Sequence, residues 1–391
     1  MTSLTIIGGG VAGLSLALAL TQRGVSCTVF EARPEPAWDG GAALAMAPNA
    51  MAVLQRLGVA EAVTASGSSI EWYRFMSAQG QQLALVDLRP LSRPWGASTW
   101  CIPRQQLLSA LGRRLPPGVL TLGSPLGDIR PRGAGFVLYD EAGDPMWEAE
   151  AVTGADGARS VVRERLWGAT PLTYQGFFAL RAVTPFPLED PALTHTVTQI
   201  WGQASEFGFS PMGPSRAYWY ATFRWPNLSH PLPPLDEILA RFASWCDPVP
   251  ALIARTPRSE ILVHPIFDRL TPWPSHPLPA TLVGDAAHLM TPNAGQGACQ
   301  ALLDSWVLAR VWAASSSPLD AFRTYRAIRL AHALEVARTS RRLGQIIHRY
   351  VPVLGTLAPR LLRAAPDALV LAAMARIIAS PARLGVDDLA P

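Results

Sequence analysis

The stretch LTIIGGGVAGLSLALALTQRGVSCTVFE, residues 4–31, decides the fold of this chain. It begins with an apolar run typical of a buried β-strand, passes through GGGVAG, and then has a helical composition as far as Gln22. Gly24 can end that helix, and residues 26–30 form a second β run. This order predicts a βαβ unit with two parallel strands.

The three glycines of the G-x-G-x-x-G pattern have separate tasks in such a unit. Gly8 permits a tight turn, Gly10 lets a pyrophosphate approach the backbone, and Gly13 lets helix and strand pack closely. The free N–H groups and positive dipole end of the helix favour an anion there. Glu31, at the end of the second β run, can accept hydrogen bonds from an adenosine ribose. The stretch predicts a dinucleotide site; an ordinary glycine-rich turn is the alternative.

Length and composition indicate a packed globular protein. The chain has 391 residues, enough to bury a sizeable core without disulfides or metals. Hydrophobic residues make up 49% and charged residues 16%, the opposite of the balance in a disordered chain. All 33 basic residues are arginine, which excludes lysine Schiff-base chemistry and a phosphate-loop lysine. The four cysteines lack C-x-x-C or metal-ligand spacing, so we expect no metal site.

The positive charge of the chain does not indicate nucleic-acid binding. The net charge is +4, and the arginines concentrate after residue 319 at helical spacings rather than in a run. We interpret them as a solvated helix face; a peripheral surface for an anionic membrane or an acidic partner is the alternative. The first residues lack the basic n-region of a signal peptide, and no apolar stretch is long enough to span a membrane. We expect a soluble, cytoplasmic protein that is a monomer or homodimer.

Two later stretches repeat the combination of glycine and carboxylate after a β run. GADGARSVVR occupies residues 154–163, and GDAAHLMTPNAGQG occupies residues 284–297; we call them the D-G loop and the G-D loop. The G-D loop follows an apolar β run at 281–283 and precedes a helical pattern at 298–312. Backbone N–H groups at the start of that helix can stabilise negative charge.

In this order and spacing, the three stretches resemble the G-x-G-x-x-G, D-G and G-D motifs of the single-component FAD-dependent aromatic monooxygenases, which have the p-hydroxybenzoate hydroxylase fold. Salicylate-hydroxylase-like, urate-hydroxylase-like and tetracycline-inactivating enzymes have the most similar motifs. The resemblance implies an α/β chain: a Rossmann-type FAD-binding domain interleaved with an antiparallel-sheet substrate domain, plus C-terminal helices. We expect the FAD-binding domain at 1–69, 89–172 and 275–318, the substrate domain at 70–88 and 173–274, and the helical segment at 319–391.

The resemblance also implies which residues contact FAD. Asp285 would bind a ribityl hydroxyl, and the backbone at Gly295, Gln296 and Gly297 would face the negative charge of reduced flavin near its N1 and C2 carbonyl. An N-cap or turn role is the alternative for Asp285. His288, in the same loop, is interpreted as a structural hydrogen-bonding residue rather than a catalyst.

Three further cofactor candidates lie outside the G-D loop. Asp156 would orient a flavin phosphate or cradle the incoming nicotinamide, with a surface turn as the alternative. Arg104, which opens a helix after a β run, matches a family arginine that contacts the flavin. Arg33 matches a position near the adenosine, and either arginine could be a plain surface residue.

Short, aromatic-rich β runs between residues 173 and 274, with a hairpin pattern at 70–88, predict the sheet that covers the flavin. Tyr218 and Tyr220 share one face of a strand, which we call the tyrosine face, and Trp219 lies on the other. We expect the tyrosine face to line the substrate pocket. The other pocket candidates are Arg181, Trp201, Phe209 and Pro292. The alternative is that all of them are sheet core.

The resemblance implies that NADPH or NADH reduces FAD, which forms a C4a-hydroperoxide that hydroxylates or epoxidises an aromatic or apolar small molecule. Arg181 could stabilise an anionic substrate, and Tyr220 could relay a proton; sequence alone identifies no catalytic base. No second G-x-G-x-x-G follows a strand, so the nicotinamide is expected to bind transiently. A geranylgeranyl-reductase-like reductase of double bonds and a flavin-binding protein without turnover are the alternatives.

Overall fold

The computed structural model describes residues 3–35, 42–348, 360–384 and 386–389. The strands in these ranges are, in chain order, β1 (Leu4–Ile7), β2 (Cys27–Phe30), β3 (Ala43–Met46), β4 (Ser68–Ile70), β5 (Trp72–Ser77), β6 (Gln82–Asp87), β7 (Thr99–Pro103), β8 (Leu120–Thr121), β9 (Asp128–Arg132), β10 (Gly135–Tyr139), β11 (Pro145–Ala149), β12 (Val152–Gly154), β13 (Thr173–Pro185), β14 (Thr196–Gly202), β15 (Ser205–Pro211), β16 (Arg216–Arg224), β17 (Leu262–Asp268) and β18 (Ala280–Leu282). The α-helices with defined ends are α1 (Val11–Thr21), α2 (Pro48–Arg56), α3 (Ala60–Thr64), α4 (Arg89–Ser92), α5 (Arg104–Arg113), α6 (Val161–Trp167), α7 (Leu235–Ala240), α8 (Val249–Arg255), α9 (Asp285–His288), α10 (Gly297–Ala314), α11 (Pro318–His348) and α12 (Asp367–Ile378).

The predicted βαβ unit forms the centre of a parallel sheet. Within the described residues this sheet has the order β18-β12-β1-β2-β8, and each neighbouring pair is parallel. Helix α1 begins at Val11, earlier than its apolar pattern indicates, because Gly10 already serves as its N-cap. Residues 12–20 of α1 are all buried, since the sheet covers one side and α10 the other. The Rossmann-type part of the predicted fold is confirmed.

The second large sheet, which we call the seven-stranded sheet, has the order β17-β13-β16-β15-β14-β5-β6 in the described residues. Its pairs are antiparallel apart from β14 and β5, which run parallel. The hairpin predicted at residues 70–88 therefore joins this sheet through β14, at a position that strand patterns alone do not specify. Away from the parallel sheet, it packs an aromatic core that includes Phe207, Trp219 and Phe223 against α7 and α8.

Two smaller sheets were not anticipated. Strands β9, β10 and β11 form one antiparallel sheet, and β3, β7 and β4 form the other. Between β16 and β17, the short helix α7 ends at Ala240 and turns follow it. The strands missed by the pattern are short, and β9 and β11 carry polar or proline residues that obscure a period of two.

Helix α11 connects the two large sheets. The hydroxyl of Tyr325 donates to the carbonyl of Leu282 in β18 at 3.1 Å. Farther along, Arg341 pairs with Asp268 in β17, and His348 hydrogen-bonds Thr222 in β16 at 2.8 Å. Within the described part of the chain, no helix combines the length and hydropathy needed to cross a membrane.

The interpretation of the late arginines as a solvated face is wrong for Arg329. This side chain is 0% exposed, and its Nε donates to Oδ1 of Asp304 at 2.8 Å. The other oxygen of Asp304 accepts hydrogen bonds from the backbone N–H of Gly284 at 2.9 Å and meets Nε2 of His288 at 2.5 Å. Desolvation raises the pKa of Asp304, but the interactions with His288 and Arg329 outweigh it and lower that pKa to about 2. A buried ion cluster thus anchors the start of the G-D loop.

We expect Arg329→Met to lower the free energy of unfolding by about 3–5 kcal/mol, because it leaves the buried charge of Asp304 without its arginine partner. The control is Arg323→Met on the same helix, where an exposed pair with Asp320 at 3.8 Å is lost and little change is expected. Urea unfolding of both variants makes the measurement. Equal effects of the two substitutions would contradict a structural role for the cluster.

Candidate dinucleotide and substrate site

The glycine turn at residues 8–13 leaves space on one side and none on the other. A Cβ added at Gly13 would lie 1.8 Å from the carbonyl oxygen of Gly8, and one added at Gly8 would lie 2.5 Å from that of Ala155. By contrast, no described atom lies within 4 Å of the Cβ position at Gly10. No side chain caps the start of α1, and its first turn contains no acidic residue. The turn therefore presents a helix N-terminus to an open space that suits a phosphate.

Glu31 lies beside this turn, where the adenosine was expected. Its Oε2 accepts a hydrogen bond from the N–H of Gly9 at 2.6 Å, and its Oε1 accepts one from the N–H of Arg33 at 3.1 Å. The carboxylate is half-buried, and the Arg33 side chain is exposed. Glu31 thus fixes the end of β2 against the glycine turn.

Asp156 in the D-G loop also reaches the glycine turn, since its Cα lies 2.9 Å from the Cβ position at Gly8. Its carboxylate is engaged locally: Ser160 Oγ donates to it at 2.5 Å and the N–H of Val162 at 3.1 Å, at the start of α6. Desolvation raises the pKa of Asp156. The side chain shapes the loop, and the cofactor contact expected of it stays a prediction.

Asp285 is an exposed residue near the start of the G-D loop, where the loop approaches α1. The preceding Gly284 has φ +59°, and its Cβ position lies 3.0 Å from Cβ of Ala12 in α1. Desolvation raises the pKa of Asp285, while His288 and Arg104 oppose this shift. The Asp285 side chain is therefore in contact with solvent although protein atoms surround it, as expected for a residue at the floor of a cleft. Desolvation also lowers the pKa of Arg104, and the charge of Arg33 adds to this effect.

The far end of the G-D loop also has backbone positions that face open space. Gly295 has φ +62°, and no described atom lies within 4 Å of the Cβ position at Gly295 or Gly297. The side chain of Gln296 points inward, where its Oε1 accepts hydrogen bonds from Asn49 at 3.2 Å and Gln300 at 3.0 Å. Pro292 is exposed at the preceding turn. The segment can thus offer main-chain groups, but not the Gln296 side chain, to a ligand.

On the seven-stranded sheet, the structure brings most of the substrate candidates to one face. Arg181 in β13 lies directly opposite Tyr220 in β16, and Glu206 in β15 lies opposite Trp201 in β14. Within the described residues, the side chain of Arg181 makes no hydrogen bond or ion pair. The tyrosine face is close to the candidate cofactor cleft, because Ser210 of β15 donates to Sγ of Cys101, three residues before Arg104, at 3.0 Å.

The prediction that Phe209 lines this pocket is wrong. Phe209 is paired with Trp219 and lies with it in the aromatic core on the opposite face, where it is 2% exposed. Alternation of side chains along β15 places Gly208 and Ser210, not Phe209, on the tyrosine face.

Sequence reasoning missed the most distinctive group on the tyrosine face, the carboxyl of Glu206. This side chain is 2% exposed, and its Oε1 accepts hydrogen bonds from the hydroxyl of Tyr220 at 2.6 Å and Nε2 of Gln199 at 2.5 Å. The Gln199 carbonyl in turn accepts from Tyr73 at 2.8 Å. Oε2 of Glu206 has no partner among the described residues. The sequence offered one signal for this residue, which is that Glu206 is the single carboxylate within an aromatic β run.

Burial controls the protonation states of this network. Desolvation raises the pKa of Glu206 to about 7, although hydrogen bonds from Tyr220 and Gln199 oppose the shift. Desolvation raises the pKa of Tyr218 to about 12 and that of Tyr220 well above its usual value. At neutral pH the tyrosines are therefore neutral donors, and Glu206 is the group that changes charge.

Two alanine substitutions distinguish Gly13, which packs against backbone, from Gly10, which faces open space. We expect Gly13→Ala to destabilise the FAD-free protein by more than about 2 kcal/mol, because the methyl group collides with backbone. Gly10→Ala should leave that stability nearly unchanged and weaken FAD binding by about tenfold or more, because its methyl group occupies the space facing the helix N-terminus. Urea unfolding and FAD titration measure the two effects. Unchanged FAD affinity in Gly10→Ala would contradict the proposed position of the phosphates.

We expect the stability of the wild type, relative to Glu206→Gln, to fall as pH rises from about 4.5 to about 7. The folded-state pKa of Glu206 is raised from 4.5 to about 7, so the unfolded chain releases its proton first and is favoured over this interval. Unfolding at fixed FAD concentration over this pH range is the measurement, with the exposed Glu189→Gln as control. A difference that does not vary with pH would contradict the raised pKa.

Comparisons with known proteins agree with this geometry. A family model described as an FAD binding domain matches residues 1–112 and 134–340. Aurachin C monooxygenase/isomerase of Stigmatella aurantiaca is 34% identical over 351 residues, covering 88% of this chain and 90% of that protein. The 3-amino-4-hydroxybenzoate 2-monooxygenase of Streptomyces platensis is 34% identical over 364 residues, covering 88% of each chain.

Among solved structures, HpxO of Klebsiella pneumoniae complexed with FAD and uric acid superposes with a TM-score of 0.87 at 24% identity, covering 100% of this chain and 97% of that one. This likeness shows a shared fold. The family match covers more than half of the sequence. Both relatives are named monooxygenases, and this chain matches 90% and 88% of their lengths. The chain therefore belongs to the FAD-binding domain family and is an FAD-dependent monooxygenase.

Proposed function

We propose that this monooxygenase hydroxylates or epoxidises an aromatic or apolar small molecule bound against the tyrosine face, with NADPH or NADH as the transient reductant. The observation that supports it best is the convergence of the glycine turn, the D-G loop and the G-D loop on one cleft beside this face. The monooxygenase relatives acting on aurachin C and on an aminohydroxybenzoate favour an aromatic substrate.

The residues present fit FAD. The open space at Gly10 would take the pyrophosphate at the N-terminus of α1, and Glu31 and Arg33 lie where the adenosine would follow. Asp285 would bind the ribityl chain, with Arg104 beside it, and the backbone at residues 295–297 would face the flavin ring. Reduced flavin supplies the chemistry that activates dioxygen and transfers one of its oxygen atoms to the substrate.

The chain's own residues would position the substrate and handle its proton. The aromatic side chains of Phe75 and Trp201, in contact at 5.7 Å between ring centroids, help to exclude water from the tyrosine face. Arg181, unpaired in the described residues, would stabilise developing negative charge on the substrate. Tyr220 would relay a substrate proton, since its own hydroxyl hydrogen already points to Glu206. This assigns Tyr220 and Glu206, together, the proton-accepting role that sequence left open.

We expect aromatic compounds to stimulate NADPH or NADH oxidation by the FAD-loaded enzyme, with one dioxygen consumed per turnover. A screen of phenolic, N-heterocyclic and polyketide-like compounds, with and without catalase, measures coupling. Asp285→Ala should purify without FAD and be inactive, whereas Asp236→Ala, an exposed pair with Arg258, should match the wild type. Substrate reduction that proceeds without dioxygen would instead support a reductase of double bonds, and no stimulation by any compound would support a flavin carrier.

A further inference from the structure

Helix α12 is apolar on the side that faces outward as well as on the side that faces the protein. Its inward side packs on the main core through Val370, Leu371 and Met374, next to β6. The outward side has exposed residues at helical spacing, which are Leu369, Ala372, Ala373 and Arg376. Leu369 is 64% exposed. A helix with two apolar sides that packs through only one of them leaves a surface for a binding partner.

The residues that lead into α12 continue this surface. Residues 360–364 are helical and pack on the same core through Leu362, whereas the neighbouring Leu361 is 65% exposed. Within the described ranges, five large hydrophobic side chains are exposed, and Leu361 and Leu369 are two of them. We call the exposed residues between 360 and 376 the C-terminal patch.

The C-terminal patch is positively charged. Arg360, Arg363 and Arg376 are all exposed. Asp367 is the single acidic residue between 360 and 376, and it lies in the first turn of α12, where the helix dipole favours a negative charge. Exposed leucines flanked by arginines are typical of protein surfaces that bind anionic lipids, because the leucines enter the apolar layer while the arginines meet the phosphates.

A second copy of the chain suits this patch less well. Helix α12 has 12 residues, so its outer face is about 18 Å long and about 10 Å wide, an area well below the roughly 800 Å² that each partner buries in a stable interface. A symmetric dimer would also place the three arginines of one patch against those of the other. Both the size and the charge of the patch therefore favour a membrane.

We propose that the C-terminal patch binds the surface of an anionic lipid membrane, with Leu361 and Leu369 inserted below the headgroups and the three arginines beside lipid phosphates. With 12 residues, α12 would lie on the bilayer, since spanning one takes about 20. Because α12 packs beside β6, the patch is next to the sheet that carries the tyrosine face. An apolar substrate dissolved in the membrane would then be close to its site; this consequence, unlike the binding itself, rests on the proposed function.

The test is co-sedimentation of the full, FAD-loaded chain with vesicles of phosphatidylglycerol and phosphatidylcholine, compared with vesicles of phosphatidylcholine alone. We expect the wild type to bind the anionic vesicles about tenfold or more tighter than the neutral ones, and to lose this binding as salt rises. Leu369→Asp and Arg363→Glu should each weaken binding by about fivefold or more. The matched controls are Leu228→Asp and Arg216→Glu, two exposed positions outside the patch, and both should bind as the wild type does.

Absence of wild-type binding to the anionic vesicles would overturn the proposal, as would equal binding to the neutral vesicles or equal losses in patch variants and controls. Loss in Arg363→Glu without loss in Leu369→Asp would indicate an acidic protein partner instead, because charge alone would then decide binding. A dimer in analytical ultracentrifugation that Leu369→Asp dissociates would assign the patch to a second copy. None of these measurements involves substrate turnover, so their failure is distinct from failure of the proposed function.

Discussion

The buried carboxylate of Asp304 is the interaction on which the geometry of the cofactor cleft depends. It accepts the backbone N–H of Gly284, meets His288, and pairs with Arg329 inside the protein. Arg329 extends to Gln300, which reaches Gln296 at the other end of the G-D loop. Both ends of one loop are therefore held from beneath by a single charged network. A loop fixed in this way can present backbone groups to a ligand without rearranging when the ligand binds.

A second buried carboxyl, that of Glu206, orients the substrate side of the cleft through neutral hydrogen-bond donors. Oε1 of Glu206 accepts hydrogen bonds from Tyr220 and Gln199. These contacts orient the tyrosine face as the Asp304 cluster orients the G-D loop. The two networks differ in the state of their carboxyls. Cationic neighbours lower the pKa of Asp304 against desolvation, whereas desolvation dominates at Glu206 and raises its pKa to about 7. A carboxylate that stays charged and a carboxyl that titrates near neutral pH follow from this difference in surroundings.

The sequence predicted the cleft better than the sheet above it, for a physical reason. Gly13 is required by a backbone contact with Gly8 inside one βαβ unit, so a local pattern reveals it, and Gly8 belongs to the same pattern although its own close contact is with Ala155 in the D-G loop. The face on which Phe209 lies depends on strand register, and a shift of one residue reverses every side chain. The parallel pairing of β14 with β5 joins segments about 120 residues apart, and the burial of Arg329 depends on a carboxylate in another helix. The role of Glu206 could not be predicted from the sequence because it depends on hydrogen bonds from Tyr220 and Gln199 on neighbouring strands.

The central claim is that one non-covalent FAD occupies the cleft formed by the three loops. The most direct measurement is the visible absorption spectrum of the purified protein, followed by heat denaturation and analysis of the supernatant. The account predicts flavin absorption bands in the folded protein and release of about one FAD per chain on denaturation. Folded protein that shows no flavin bands, even after incubation with excess FAD, would contradict it.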